Sequence, residues 1–195
     1  MNFRHAFLVA LFLGCFGFTQ AKEAPWSNTR GKMVSPEGYV VHYSYEGPEG
    51  KFLFRYTVQG SGVKILTEVL EGSARGAGTR IYYEPAKDKD NVFMETRFVT
   101  LRRSLEARDI KDSSLYQPLF SQILGELPTK EPSEVLPFGE GYIFVFGDSA
   151  RVEARITVDQ SGNPTVYRRL EKGREVKKFV FSHLKWGSHP IDWEG

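Results

Sequence analysis

Apolar residues in this chain recur at every second position, in run after run, and residues suited to tight turns separate the runs. In YVVHYSYE, residues 39 to 46, Tyr39, Val41, Tyr43 and Tyr45 share one side of an extended chain. In KFLFRYTVQ, residues 51 to 59, Phe52, Phe54, Tyr56 and Val58 do the same. A period of two is the mark of a strand with one face buried, and it excludes an amphipathic helix over these stretches. Gly47-Pro48-Glu49-Gly50 lies between the two runs and joins them as a hairpin. A one-residue slip in pairing would turn a whole stripe to water, so both stripes belong on the same face.

The alternation continues through Val63–Glu71, Thr79–Glu84 and Asn91–Thr96, with Arg97–Ser104 read as a further strand. It resumes in Gly141–Phe146, Arg151–Asp159, Pro164–Glu171 and Glu175–Trp186. Short connections between such runs predict an antiparallel meander of about nine strands, one face solvated and one buried. One segment breaks the pattern. In DSSLYQPLFSQILGELP, residues 112 to 128, Leu115, Leu119, Phe120, Ile123 and Leu124 fall near a 3.6-residue period, which predicts a helix near 113–125 with Pro118 in its first turn. Residues 22–38, KEAPWSNTRGKMVSPEG, hold two prolines, two glycines and no apolar period, and read as an extended N-terminal arm. Residues 39–195 then make a single domain. A single helix of about three turns cannot cover the inner face of so many strands. The sheet must curl on itself or leave an apolar concavity. The expectation is a mostly β fold: a strongly curved antiparallel sheet with one short helix on its concave side.

The N-terminus bears on location. Arg4 and His5 precede an apolar run of 12 residues, Phe7 to Phe18, and Thr19 and Ala21 offer the small residues of a cleavage site. Residues 1–21 read as a secretory signal peptide, too short to span a bilayer as a stable helix. Cleavage after Ala21 predicts a periplasmic or secreted protein. The alternative is a lipoprotein, since Phe12-Leu13-Gly14-Cys15 resembles a bacterial lipoprotein cleavage box and would put the anchor on Cys15. Cys15 is the only cysteine, so the chain beyond it has no disulfide, thiolate metal site or cysteine nucleophile. Without Arg4 the balance is 25 basic against 24 acidic residues, which gives no global reason to expect nucleic acid as a partner. No second long apolar run follows, so no transmembrane segment is expected after signal removal.

Catalytic motifs are scarce. FVFGDS, residues 144 to 149, resembles the start of serine hydrolases of the GDSL type, with Ser149 as nucleophile. There, however, the serine leads into a helix, whereas here the strand RVEARITVD follows. Neither His183 nor His189 has an aspartate three residues before it, and without a base the hydroxyl is not activated. Gly-Asp-Ser reads instead as a hairpin turn. His42, His183 and His189 have no metal-ligand spacing, so no metal and no cofactor are expected. The pairs Arg102-Arg103, Arg168-Arg169 and Lys177-Lys178 point opposite ways on their strands, and each sends one charge outward.

The order of elements is similar to that of the periplasmic lipoprotein carriers of the LolA type and their outer-membrane lipoprotein-sorting relatives. The resemblance is carried by GTRIYYEP and VFMETRFVTLRRSL, by the DSSLYQPLFSQIL helix, and by the closing ITVDQSGNPTVYRRLEKGREVKKFVFSHLKW. It covers residues 39 to 186. It implies a half-open antiparallel sheet wrapped round an apolar cavity, with helices as a lid and acyl chains of lipoproteins as cargo. The family begins with an amphipathic helix, which the extended arm does not supply. The family's functional arginine at the cavity mouth matches no single position here.

Together these features predict a non-enzymatic binding protein for an acyl chain or the lipid of a lipoprotein, with no catalytic residues. Its expected apolar lining is Tyr39, Val41, Tyr43, Phe52, Phe54, Tyr56, Leu119, Phe120 and Ile123. The competing expectation is a structural or protein-interaction module of the cell envelope, with an envelope protein as partner and a closed core.

Overall fold

Turn residues set the strand boundaries. Lys172 and Gly173, with φ of 51° and 75°, make the two-residue hairpin expected from Lys-Gly, the type whose twist suits antiparallel strands. The computed structural model describes residues 26–35, 37–47, 50–72, 76–104 and 116–193. The signal segment and Cys15 lie outside the described residues. Helix α1 spans Trp26–Met33, followed by β1 (Gly38–Gly47), β2 (Gly50–Gln59), a 3-10 turn (Gly60–Gly62), β3 (Lys64–Glu71), β4 (Arg80–Tyr83), β5 (Asn91–Glu95) and β6 (Thr100–Ser104). Helix α2 (Leu119–Gly125) leads to β7 (Glu134–Phe138), β8 (Gly141–Gly147), β9 (Val152–Val158), β10 (Pro164–Glu171) and β11 (Arg174–Trp186).

All eleven strands form one antiparallel sheet in the order β6-β5-β4-β3-β2-β1-β11-β10-β9-β8-β7. Two meanders, β1 to β6 and β7 to β11, meet where the first strand pairs with the last. At the usual twist of about 20–25° per strand pair, such a sheet cannot stay flat. It curls, and both helices pack on its concave face. The mostly β, curved antiparallel architecture is therefore as expected, with two short helices among the described residues in place of one.

Cross-strand pairing arranges the concave face in rows. A middle row runs Met94, Ile81, Thr67, Tyr56, Val41. The next row toward the lower end, where the β1–β2 and β10–β11 turns lie, runs Val69, Phe54, Tyr43, Phe181. The row below that runs Phe52, Tyr45, Phe179, Tyr167, Ile156, Phe144. A bulge at His183 (φ 53°) interrupts β11, so Phe179 and Phe181 face inward before it and Leu184 and Trp186 after it.

Four sequence expectations need correction. The stretch read as an extended arm holds α1. Its buried residues, Trp26, Thr29 and Met33, do follow helical spacing, but the middle one is polar, so no apolar period shows. Tertiary contacts supply the stability that propensity does not. Trp26 packs edge-on against Phe146 at 4.9 Å and tilted against Phe144 at 5.3 Å. Its Nε1–H donates to the Lys130 carbonyl, and the Thr29 hydroxyl donates to the Gly162 carbonyl at 3.1 Å. Second, α2 starts only at Leu119. Pro118 (φ −54°, ψ 121°) occupies the cap position rather than the first turn, and the residue before a proline is steered away from helical backbone. Residues 113–115 lie outside the described residues. Third, Arg97 does not continue a strand. Thr96 turns the chain, accepting the Phe98 and Val99 N–H groups on its hydroxyl, and β6 follows at Thr100. Fourth, Glu134–Phe138 forms an additional strand at the sheet edge, where Pro137 is tolerated.

The convex face carries its own small cluster. Ile191 and Trp193, beyond β11, cover Leu66, Tyr82 and Phe93, with Trp193 stacked on Tyr82 at 5.2 Å.

Candidate functional site

Of the nine residues expected to line a pocket, seven lie in the core. Tyr39, Val41, Tyr43, Tyr56, Leu119, Phe120 and Ile123 are each at most 2% exposed. Helix α2 closes the centre of the concave face through both packing and hydrogen bonds. The Phe120 N–H donates to the Tyr39 hydroxyl at 3.2 Å, and the Tyr56 hydroxyl donates to the Gln117 carbonyl at 2.6 Å. Phe120 packs on Tyr39 at 4.7 Å, Trp186 at 5.3 Å and Phe181 at 5.4 Å. Burial pushes the Tyr39 and Tyr56 phenols far above their ordinary value, so both hydroxyls remain neutral.

The other two residues, Phe52 and Phe54, are half-buried, as is Tyr45 beside them. Phe52 stacks on Phe54 at 5.9 Å, Phe54 on Tyr43 at 5.0 Å, and Tyr45 lies 5.6 Å from Phe179. The rings therefore form a continuous wall. It is dry at the middle row and becomes partly exposed toward the lower end. Sequence periodicity brought these residues to one face but could not grade their burial along it.

A polar group borders the same end. Glu126, just past α2, accepts from Lys177 Nζ at 2.9 and 3.0 Å and from the Tyr167 hydroxyl at 3.3 Å. Arg169 Nη1 donates to the Glu126 carbonyl at 2.9 Å, capping the helix end. Burial raises the Tyr167 phenol, reinforced by the Glu126 carboxylate. Sequence reasoning missed this cluster, although the pairs Arg168-Arg169 and Lys177-Lys178 contained the signal. One member of each pair points outward, and the other must point inward.

The described residues also line three clefts. One of about 260 Å³ lies between the helices, bordered by Trp26, Arg30, Leu124, Leu127 and Lys130. One of about 240 Å³ lies by Tyr82 and Trp193 on the convex face, and a third borders Asn28, Lys32 and Trp186. None of the three is lined by the nine expected residues. Ser149 sits in the exposed turn between β8 and β9. His183 lies two strands beyond β9, about 10 Å across the sheet, where it contacts His42 at 4.8 Å. No cluster of three potential metal ligands occurs among the described residues. No helix among them is long and apolar enough to cross a membrane.

No family model and no curated protein matches the chain. Several solved structures do. An uncharacterized conserved protein from Thermus thermophilus is 11% identical, with a TM-score of 0.50 over 83% of this chain and 85% of that one. The MucA/MucB complex structure from Pseudomonas aeruginosa gives 17% identity and a TM-score of 0.47, covering 86% of this chain and 58% of that one. A LolA superfamily protein from Nitrosomonas europaea gives 14% identity and a TM-score of 0.35, covering 84% and 93%. At these identities the likeness concerns fold alone.

Proposed function

We propose that the chain is an exported, non-enzymatic binding protein for an acyl chain or the lipid of a lipoprotein, received at the lower end of the concave face. The observation that carries this reading is the graded aromatic wall. Tyr45, Phe52 and Phe54 stay half-buried while continuous with fully buried rings. Among the described residues, two helices of 8 and 7 residues, about 12 Å and 10 Å long, face a sheet of eleven strands. An acyl chain gains about 0.8 kcal/mol for each methylene removed from water, so ten methylenes along the wall contribute about 8 kcal/mol before ordering costs. The separation of Ser149 from His183 supports a role without hydrolysis. Export rests on the signal-like segment 1–21, and N-terminal sequencing of the processed protein distinguishes a start at Lys22 from an acylated Cys15.

One observation favours a second reading. The centre of the face is closed, with Tyr39 and Tyr56 hydrogen-bonded into the α2 segment, which suits a protein-interaction module of the envelope. Phe54→Ala separates the two. In the binding reading it weakens displacement of a fluorescent fatty acid more than it lowers the denaturant midpoint. A wild-type protein that binds no fatty acid, together with a large loss of stability in Phe54→Ala, refutes the binding reading.

A further inference from the structure

The most exposed large apolar side chain among the described residues is Phe98, 89% exposed at the tip of the β5–β6 hairpin. Val99 and Leu101 follow at 48% and 51%. Disorder does not account for Phe98 facing water, because the turn is closed. The Thr96 N–H donates to the Val99 carbonyl at 2.9 Å, and the Thr96 hydroxyl holds the N–H groups of Phe98 and Val99. Two cations accompany the apolar group. The Arg97 guanidinium lies 5.7 Å from the Phe98 ring centre, and Arg103 has no ion pair among the described residues. Arg102, by contrast, is held by Asp88 at 2.6 Å. The register places this tip at the same end of the sheet as the β1–β2 turn, three strands from β2 with its half-buried Phe52 and Phe54.

We propose that the β5–β6 hairpin docks the protein on an anionic phospholipid surface, with Phe98 entering the headgroup layer and Arg97 and Arg103 meeting lipid phosphates. Interfacial binding of this kind scales with buried apolar area and with attraction between cations and anionic lipid. An extended peptide added along β6 would suit Arg103, the only one of the two arginines that lies on β6. It would leave Arg97, Phe98 and Val99 uncovered, because they lie in the turn beyond the strand's hydrogen-bonding edge.

The test is co-sedimentation of the processed protein with vesicles of phosphatidylethanolamine and phosphatidylglycerol, against vesicles of phosphatidylcholine alone. The anionic vesicles are expected to bind more protein, and added salt to weaken the binding. Phe98→Ser lowers partitioning about tenfold, and Arg97→Gln and Arg103→Gln about fivefold each. Phe138→Ser, a change at a 59% exposed ring where β7 ends, at the opposite end of the sheet's length, leaves binding unchanged. Vesicle binding that survives Phe98→Ser, or that Phe138→Ser weakens equally, overturns the proposal. So does capture of an acidic extended peptide by a wild-type protein that ignores vesicles. The outcome is separable from the acyl-chain reading, because Phe98→Ser is expected to leave fatty-acid displacement intact.

Discussion

Replacing Trp26 with alanine tests whether α1 is part of the folded domain or an arm lying against it. Trp26 is 6% exposed, its ring wedged against Phe144 and Phe146, which are themselves fully buried. Truncating a buried tryptophan costs about 3–5 kcal/mol, and here the gap opens between two aromatic rings that cannot collapse onto each other from one strand. The indole N–H bond to the Lys130 carbonyl is lost as well. We expect a loss of about 4 kcal/mol. With a urea dependence of about 2 kcal/mol/M for a domain of this size, the midpoint falls by about 2 M. Trp186 and Trp193 remain as fluorescence reporters of global unfolding. Thr29→Val keeps the shape and removes only the hydroxyl bond to Gly162, so it is expected to cost about 1 kcal/mol. A midpoint shift under 0.5 M in Trp26→Ala would show that α1 contributes little to the fold, and the docked-helix reasoning would fall.

Other consequences can be checked on the same protein. Gly125→Ala, in the last turn of α2 with nothing within 4 Å of the added methyl, should stabilise by about 0.5–1 kcal/mol in a thermal melt. Gly147→Ala brings a methyl into the Val152 carbonyl in a backbone of φ 81° and should destabilise strongly, with a lowered melting temperature. Desolvation, then His183 and Arg55, hold the His42 imidazole below its ordinary value, so the fold favours its neutral form. The associated stability is present above about pH 6.5 and is lost as pH falls through the folded value, and His42→Gln should flatten that acid limb of melting temperature against pH. Lys177→Met removes the partner of Glu126 at a partly buried site and should cost about 1 kcal/mol in urea titration. Ser149→Ala should change neither stability nor any measurable ester hydrolysis.

Much of the sheet was legible because its signals are local. Tyr39 to Tyr45 and Phe52 to Val58 alternate, and the Gly-rich turn between them sets one register. What stayed hidden depends on contacts distant in sequence. Helix α1 is held by Phe144, Phe146 and Gly162, all more than a hundred residues away, and its only polar buried residue, Thr29, breaks the apolar stripe. The switch of inward-facing parity at His183 shows in FVFSHLKW as apolar residues moving from odd to even positions, but only the pairing of β1 across it shows that this break is a bulge within one strand. For the candidate site, the face was legible and the depth was not. Nothing in the spacing of Phe52, Phe54 and Tyr56 says that α2 buries the third and leaves the first two half-open.

The pairing of β1 with β11 also has a temporal side. His42 and Ser182 are partners although about 140 residues separate them. At about 5–20 residues per second of synthesis, the open edge of β1 exists for about 7–30 s before its neighbour is made. Closing so long a loop is slow compared with forming the local hairpins on either side. Each meander thus begins life with an unsatisfied strand edge, the kind that other chains can claim. The protein's vulnerable moment is set by the arrival of its last thirteen-residue strand, and truncation anywhere before Arg174 should yield aggregates rather than a smaller domain.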